Sequence, residues 1–343
     1  MNNVAIVGAG KWGTALASVI SQAGRQVTLI TNNDAYANVL NQREDNAGHP
    51  HDIFLGPNTR AATHLTNPPD ILLIVTPAQH VRRVAKSLAP DLPTDLPVVL
   101  CAKGIELNSG LLLPEILAEV LPNVTPVVLS GPTFATEVAQ GLPVALTLAC
   151  ADSSLSEALV TALSSRNFRI YRTTDTTGAA LCGAVKNVIA IGCGIVVGRG
   201  LGENACAAVM TRGLTEITRL GIALGAMPET FHGLAGVGDL SLSCTSMRSR
   251  NFTLGHALGQ GQSLDEATQG GSVLAEGVFT ASAVLARAAH ANVEMPISVA
   301  VDGVVNHSAD IDETIKRLLA RPSKAENTDS SMPMALTKRR QRG

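Results

Sequence analysis

Short apolar runs alternate with helical patterns over the first half of the chain. The first strand is predicted at Asn3–Val7 and is followed by a glycine turn and an apolar helix at 14–23. Further buried strands are predicted at 27–30, 71–75, 98–101, 127–130 and 144–149, with helices at 79–88 and within 34–69. Strands that alternate with helices in this way predict an α/β domain, with a mostly parallel, doubly wound sheet covered on both faces.

The pattern changes after residue 173. Helical periodicity with glycine stops predicts helices near 178–198, 204–225, 228–234, 250–259, 272–291 and 296–307. We therefore expect an α/β dinucleotide-binding domain over 1–173 and an all-α substrate and catalytic domain over 174–320. Residues 321–343 lose apolar periodicity and are polar and basic, which predicts a disordered tail.

Composition narrows the functional class. Hydrophobic residues make up 45% of the 343 residues and the net charge is -2, which gives no electrostatic footprint for nucleic acid. The apolar stretch 174–198 is long enough for a bilayer, but Lys186 and Asn187 interrupt it, so we expect no membrane insertion. The six cysteines are scattered without metal-ligand spacing, and the chain opens directly on a strand. These features predict a cytoplasmic protein without a metal.

A glycine motif follows the first strand. Gly8, Gly10 and Gly13 match G-x-G-x-x-G between a strand and a helix, which is the context that gives this motif its meaning. The first glycine allows the tight turn, the second lets a pyrophosphate approach, and the third lets helix and strand pack closely. The helix N-terminus would then hold the phosphates. The motif predicts a nicotinamide dinucleotide site.

The sequence predicts use of both NAD and NADP, with a slight preference for NADPH. Asn32, after the second strand, can bond a ribose hydroxyl or a phosphate without adding charge. Asp34 is expected to cap the following helix rather than to bind the ribose. Lys11, inside the glycine turn, would supply positive charge for a 2′-phosphate, and Trp12 has either a packing or a binding role.

Lys186 lies in the middle of the apolar helix predicted at 178–198. An ammonium and the adjacent amide of Asn187 lose hydration there, so each needs a partner. Burial disfavours the charged form of a lysine and moves it towards proton exchange near neutral pH. A structural ion pair would also explain a buried lysine. Lys186 therefore indicates a catalytic residue only in combination with other groups.

A second group of polar residues suits a phosphate. Ser249, Arg250 and Asn251 combine hydroxyl, guanidinium and amide donors, and the planar fork of an arginine matches a phosphate. An ordinary exposed loop is the alternative interpretation. Ser249, Arg250 and Asn251 together predict a small phosphorylated substrate. Two other polar residues have structural interpretations as well: Lys103 could cap a strand end, and Asp239 could be a turn or helix-cap residue.

Eight segments occur in an order that resembles a known family. The chain is similar to the bacterial NAD(P)-dependent sn-glycerol-3-phosphate dehydrogenases from residue 4 to about 305, through the segments GAGKWGTALA (8–17), CAKGIE (101–106), SGPTFA (130–135), KNVIAIG (186–192), TRGLTE (211–216), GLAGVGDL (233–240), SRN (249–251) and AEG (275–277). The resemblance implies a Rossmann domain followed by a helical domain like that of 6-phosphogluconate dehydrogenase. It also implies reversible reduction of dihydroxyacetone phosphate to sn-glycerol 3-phosphate, a precursor of glycerophospholipids.

The resemblance also implies roles for individual residues. Lys186 is the expected proton donor and acceptor, with Asp239 orienting its ammonium and Lys103 close to it. The substrate positions that it implies are Lys103, Gly131, Thr133, Lys186, Asn187, Asp239, Ser249, Arg250 and Asn251. The cofactor positions are Gly8, Gly10, Lys11, Trp12, Gly13, Asn32, Lys103, Ala135, Arg250, Leu274 and Glu276.

Departures from the family pattern affect cofactor preference and subunit contacts. Lys11 stands where Ser or Asn is usual, Asn32 where Arg or His is frequent, and Cys206 where Arg is frequent. Two alternatives stay open: a β-hydroxyacid dehydrogenase of the 6-phosphogluconate type, and a non-catalytic NAD(P)-binding regulator. The first is disfavoured because it would place an asparagine at position 190, which is Ala190 here. The apolar helical domain leads us to expect a homodimer.

Overall fold

The computed structural model describes residues 1–42, 53–271 and 275–322. Leu274 and all but the first two residues of the tail predicted at 321–343 lie outside these ranges. The described chain forms an α/β sheet region followed by a helical region, as the sequence predicts. The last strand ends at Thr173 and the next helix begins at Thr176.

The sheet has eight strands in the order β3-β2-β1-β4-β5-β6-β7-β8. All neighbouring pairs are parallel except β6 and β7, which are antiparallel. The carboxyl ends of β1, β4, β5 and β6 therefore lie at one edge of the sheet, where nucleotide sites form in such folds. The strands are β1 Asn3–Val7, β2 Gln26–Ile30, β3 Thr59–Ala62, β4 Ile71–Ile74, β5 Pro97–Leu100, β6 Thr125–Ser130, β7 Val144–Ala149 and β8 Phe168–Thr173.

Helices cover both faces of this sheet. Separate hydrophobic clusters form on its two sides, one including residues of α1 and the other residues of α3 and α4. The central strand β4 is fully buried between them, which explains its uninterrupted apolar sequence. The helices of this region are α1 Lys11–Gln22, α2 Asp34–Asn41, α3 Val81–Leu88, α4 Leu113–Val120, α5 Ala135–Ala139 and α6 Ser153–Leu163.

One long helix, α7, is the core of the helical region. By length and composition it could cross a membrane, but 94% of its most apolar window is buried by the rest of the described protein. It packs against α8, α10, α11, α13 and α14. The helices are α7 Thr176–Gly198, α8 Glu203–Ala223, α9 Pro228–His232, α10 Asp239–Cys244, α11 Arg250–Gly259, α12 Leu264–Ala267, α13 Glu276–His290, α14 Pro296–His307 and α15 Ile311–Leu319.

Glycines bring α7 and α11 into backbone contact. A methyl group at Gly194 would lie 2.1 Å from the carbonyl oxygen of Phe252, and one at Gly198 would lie 2.2 Å from that of His256. On the facing helix, a methyl group at Gly255 would lie 2.0 Å from the oxygen of Ile191. This close crossing places the first turn of α11 beside the middle of α7, where the two polar groups predicted from the sequence meet.

Two edge strands were not predicted from the sequence. β3 and β8 lie at the two ends of the sheet, and β8 alternates buried with exposed residues, including Arg169 and Tyr171. Edge strands covered on one side lack the continuous apolar run that identified the central strands. The helices α4, α5, α6, α10, α12 and α15 were also missed. The prediction for α2 was wrong at its cap, because Asn33, not Asp34, accepts the backbone N–H of Tyr36.

We predict that Gly255→Ala lowers the free energy of unfolding by about 1–3 kcal/mol, because the added methyl must push α11 away from α7. The matched control is Gly303→Ala in α14, where the nearest atom would be at an ordinary 3.5 Å. That change should be neutral or slightly stabilising, because alanine favours helices. Urea unfolding of both variants measures the difference, and equal effects would contradict the close crossing.

Candidate active site

The glycine turn after β1 has the shape that a dinucleotide requires. Gly8 has φ +115° and packs against the backbone of Val75, and a methyl group at Gly13 would lie 1.8 Å from the carbonyl oxygen of Gly8. By contrast, a methyl group at Gly10 would meet nothing within 4 Å. The first backbone N–H groups of α1 have no intrahelical acceptor and point towards this open side. A pyrophosphate fits here, at the positive end of the helix.

The predicted residues around the glycine turn lie at different depths. Lys11 and Asn32 are exposed, whereas Trp12 is half-buried against the apolar cluster of the sheet. Tyr36 donates its hydroxyl hydrogen to the carbonyl oxygen of Ala9 at 3.2 Å, which fixes α2 beside the turn. Lys11 and Asn32 are therefore accessible to a ligand at this edge, while Trp12 also has a packing role.

Asp239 joins the two predicted lysines. Its carboxylate is 1% exposed and accepts from Lys186 Nζ at 2.7 Å through Oδ1 and from Lys103 Nζ at 2.5 Å through Oδ2. Lys186 Nζ also donates to Ser243 Oγ at 2.6 Å, and Lys103 Nζ donates to the carbonyl oxygen of Gly131 at 2.9 Å. One carboxylate thus orients two ammonium groups that come from different halves of the molecule.

The electrostatics of this group are unbalanced. Two ammonium groups share one carboxylate, so the cluster carries about one positive charge when all three are ionised. Burial lowers the pKa of Lys103 from 10.5 to about 8, since Asp239 only partly compensates and nearby Lys186 lowers it further. Burial also raises the pKa of the neighbouring Cys101 thiol to about 12, so that cysteine stays protonated.

Local sequence features explain why these side chains meet. Ser243 follows Asp239 by one turn of α10, so both point to the same face and both reach Lys186. Gly183 lies on α7 near Lys186, where a methyl group would be 3.4 Å from Cγ of Lys103 and 2.8 Å from Oγ of Ser130. The missing side chain therefore leaves room for Lys103. The sequence did not identify Ser243 or Gly183 as site residues, although the spacing within α10 was available as a signal.

Two asparagines connect three helices beside the lysines. Asn251 donates to Asn187 Oδ1 at 2.9 Å, and its own Oδ1 accepts from the backbone of Gly277 at 3.0 Å. Asn187 in turn donates to the carbonyl oxygen of Lys103 at 3.3 Å. Both side chains are buried. The chain of amides fixes α11 and α13 relative to α7 and to the loop after β5, so Asn187 and Asn251 organise the site.

Glu276, the first residue of α13, reaches back to the sheet. Its Oε1 accepts from the backbone N–H of Ala78 at 3.2 Å, just after β4. Its Oε2 is buried and has no hydrogen-bond partner in the described structure, and it would lie 3.4 Å from a methyl group at Gly104. Burial raises the pKa of this carboxyl group. This buried acceptor without a partner lies near the edge of the sheet where nucleotides bind in such folds. It suits a ligand that can donate a hydrogen bond.

The remaining predicted residues lie in the turn after β6 and at the starts of α5 and α11. Gly131, with φ +150°, follows β6, and Thr133 Oγ1 donates to its carbonyl oxygen at 3.3 Å. Ala135 begins α5, which packs on α1. Ser249 caps α11, and Arg250, the first residue of that helix, is exposed. The contacts of the structure therefore join a central set of the candidates, namely Lys103, Gly131, Lys186, Asn187, Asp239 and Asn251.

Within the described residues, the site contains no disulfide and no cluster of side chains that could bind a metal ion. The six cysteines are free, and five of them are buried while Cys206 is half-buried. Over residues 1–42, 53–271 and 275–322, no group of three or more His, Cys, Asp or Glu side chains could hold a metal ion.

A nucleotide-binding sheet joined to a helical region that supplies a buried lysine is typical of nicotinamide-nucleotide-dependent dehydrogenases. The family described as the NAD-dependent glycerol-3-phosphate dehydrogenase N-terminus matches residues 3–156, and the C-terminus of the same family matches residues 175–316. The chain belongs to this family. The resemblance seen in the sequence motifs is thus confirmed.

Whole-chain comparisons agree with this assignment. The chain is 49% identical over 334 residues to a glycerol-3-phosphate dehydrogenase [NAD(P)+] of Rhodospirillum rubrum, covering 96% of each chain. It is 47% identical over 325 residues to the enzyme of that name from Caulobacter vibrioides, covering 94% of this chain and 98% of the other. A crystal structure of glycerol-3-phosphate dehydrogenase from Coxiella burnetii superimposes with TM-score 0.87 at 36% identity, covering 93% and 99%.

These relatives favour the main interpretation over the alternatives. They are dehydrogenases that use NAD or NADP, so the predicted enzyme class and cofactor type are confirmed. A D-mandelate dehydrogenase shares only the fold, with TM-score 0.61 at 15% identity. Position 190, where the 6-phosphogluconate type would carry an asparagine, holds a fully buried alanine here.

We predict that Lys103 makes the stability of the protein depend on pH. The unfolded chain, in which lysine has its ordinary pKa of 10.5, binds more protons than the folded chain between about pH 8 and 10.5. The free energy of unfolding should therefore rise with pH across this window, by up to about 1.4 kcal/mol per pH unit.

Urea unfolding between pH 7.5 and about 10 tests this, with Lys103→Met expected to lose the rise that Lys103 causes. The control is Lys316→Met on the exposed surface of α15, which should keep the wild-type pH dependence. Parallel profiles for the wild type and Lys103→Met would rule out this role of burial.

Proposed function

We propose that this chain catalyses the reversible reduction of dihydroxyacetone phosphate to sn-glycerol 3-phosphate, with Lys186 as the proton donor in that direction. The observation that carries the proposal is the buried ammonium of Lys186, held by Asp239 at 2.7 Å and Ser243 at 2.6 Å. The names of its relatives support glycerol 3-phosphate as one member of this substrate pair.

The proton chemistry follows from the position of Lys186. The nicotinamide cofactor supplies a hydride to the ketone carbon, and the ketone oxygen then gains negative charge. An oriented ammonium stabilises that charge and delivers the proton that completes the hydroxyl group. Asp239 keeps Lys186 oriented, and the second ammonium, on Lys103, adds positive charge beside the developing oxyanion. In the oxidative direction Lys186 accepts the proton instead.

The phosphate end of the substrate is assigned to the start of α11. Arg250 is exposed at the first position of this helix, where unpaired backbone N–H groups and the helix dipole favour an anion. Asn251 keeps one amide hydrogen beyond the one donated to Asn187, and Ser249 lies beside it. Binding a phosphate there positions the carbonyl group for reaction, because binding energy from a remote group is used at the reacting centre. Thr133 and the backbone of Gly131 are assigned to the carbonyl side.

The cofactor residues are assigned around the carboxyl edge of the sheet. Gly8, Gly10 and Gly13 form the pyrophosphate turn, with Trp12 beside it. Lys11 and Asn32 are exposed and are assigned to the adenosine ribose. Lys11 carries a positive charge and Asn32 is neutral, which supports use of both cofactors with a slight preference for NADPH. Ala135, Arg250, Glu276 and Lys103 are assigned to the nicotinamide side, and Leu274, assigned there from the sequence, lies outside the described residues.

We further infer that the enzyme acts in the cytoplasm as a homodimer and does not insert into a membrane. Six free thiols suit a reducing compartment. The apolar helix α7 is covered by its neighbours, so it does not require lipid. Exposed apolar side chains on the helical region, including Leu201 and Met247, support a partner subunit there.

We predict that Lys186→Met lowers kcat for dihydroxyacetone phosphate reduction by about a thousandfold, because the variant loses the ammonium that delivers the proton. Loss of NADPH absorbance measures turnover, and fluorescence titration should show cofactor affinity within about twofold of wild type. Lys316→Met, which removes an exposed lysine, serves as the control. Unchanged kcat in Lys186→Met would refute the catalytic role, and cofactor binding without turnover in the wild type would favour the regulator.

We predict that Arg250→Ala raises KM for dihydroxyacetone phosphate by about tenfold or more while it changes kcat much less, because a charge-assisted phosphate contact is lost. The same variant should have little effect on the slow reduction of unphosphorylated dihydroxyacetone. Steady-state kinetics with both ketones measure the contrast. An equal loss for the two substrates would contradict a phosphate role for Arg250.

A further inference from the structure

Arg248 makes three contacts between the helical region and the segment that follows β6. Its guanidinium forms an ion pair with Glu137, donates to Thr136 Oγ1 at 2.6 Å, and lies 4.6 Å from the ring centre of Phe134. Arg248 belongs to the loop between α10 and α11 in the helical region, whereas its three partners belong to the turn after β6 and to α5. No role was assigned to it from the sequence.

Both ends of this contact lie next to residues of the site. Arg248 directly precedes Ser249 and Arg250, to which the phosphate end is assigned. Phe134 directly follows Thr133, on the carbonyl side. The contact therefore spans the two segments between which a phosphorylated ketone would be held.

The partner side of the contact is anchored rather than loose. Val138 of α5 is buried in the apolar cluster of the sheet, and α5 packs on α1, the helix that follows the glycine turn. On the other side, the loop that carries Arg248 leads into α11, which is held against α7 by the glycine crossing. A contact between two anchored segments sets their separation.

We propose that Arg248 is a positioning residue that latches the helical region to the turn after β6 and so fixes the distance between the phosphate and carbonyl sides of the substrate site. This inference rests on the proposed function for its kinetic consequences. Arg248 itself need not touch the substrate, since it acts through Thr133 on one side and Arg250 on the other.

The chemistry of the contact requires an arginine. A planar guanidinium can form hydrogen bonds with a carboxylate and a hydroxyl in its plane while it stacks on an aromatic ring, and the compact ammonium of lysine cannot do both. An exposed ion pair adds little to stability, so the consequence should appear in substrate binding rather than in unfolding. A segment that is held less firmly binds the substrate less tightly, so the loss should appear mainly as a raised KM.

The chain offers a matched control in Arg199. Arg199 forms an exposed ion pair with Asp312 through two hydrogen bonds. Both residues lie in the helical region, so this pair does not join it to the sheet region. The side-chain exposures are similar, 49% for Arg248 and 38% for Arg199. Removing either arginine should therefore change the melting temperature to a similar, small extent.

The test compares Arg248→Ala, Arg248→Lys, Glu137→Gln, the double variant Arg248→Ala/Glu137→Gln, and Arg199→Ala. We expect Arg248→Ala to raise KM for dihydroxyacetone phosphate by about tenfold with kcat within about twofold, and Arg199→Ala to leave both constants unchanged. Arg248→Lys should recover only part of the loss. The double variant should resemble Arg248→Ala alone, because the two residues act through one contact.

Hydrogen exchange provides a readout that needs no substrate. The backbone amides of residues 133–137 should exchange faster in Arg248→Ala than in Arg199→Ala, because the contacts of Arg248 that hold this turn have been removed. Unchanged exchange, an unchanged KM, or independent effects of the two single substitutions would overturn the proposal. If the wild type fails to reduce dihydroxyacetone phosphate, the proposed function fails, and hydrogen exchange still decides whether the latch exists.

Discussion

The structure of the site depends on one buried carboxylate that forms ion pairs with two ammonium groups. Asp239 is almost fully enclosed, and an isolated charge at such a position would be too costly to keep. Its two oxygens are used by Lys186 of α7 and Lys103 of the loop after β5. Because these lysines come from different regions of the fold, the same interaction that permits their burial also joins the sheet to the helical region.

The surplus positive charge of this group follows from the same arrangement. Burial is the main cause of the lowered pKa of Lys103, and Lys186 lowers it further because one carboxylate cannot compensate both ammonium groups. This surplus charge suits the negative charge that develops on the ketone oxygen when the ketone is reduced beside the two lysines. The amide chain through Asn187 and Asn251 supports this arrangement without adding further charge.

The sequence alone predicted the features that depend on local pattern. The glycine turn, the buried strands and the apolar helix around Lys186 each follow from a few neighbouring residues, and all of them are present in the structure. The edge strand β8 was missed because it is covered on one side and carries arginines. Contacts between distant segments, such as that of Arg248 with Glu137, have no local signal, because they arise only when separate elements pack together.

The long helix α7 also has a consequence for synthesis of the chain. Its apolar surface is covered mainly by α8, α10, α11, α13 and α14, all of which follow it in the sequence. While the ribosome is still producing these segments, α7 has emerged without most of its cover, and exposed apolar surface of this kind invites aggregation or capture by chaperones. The second half of this protein therefore completes its fold only after nearly the whole polypeptide has left the ribosome.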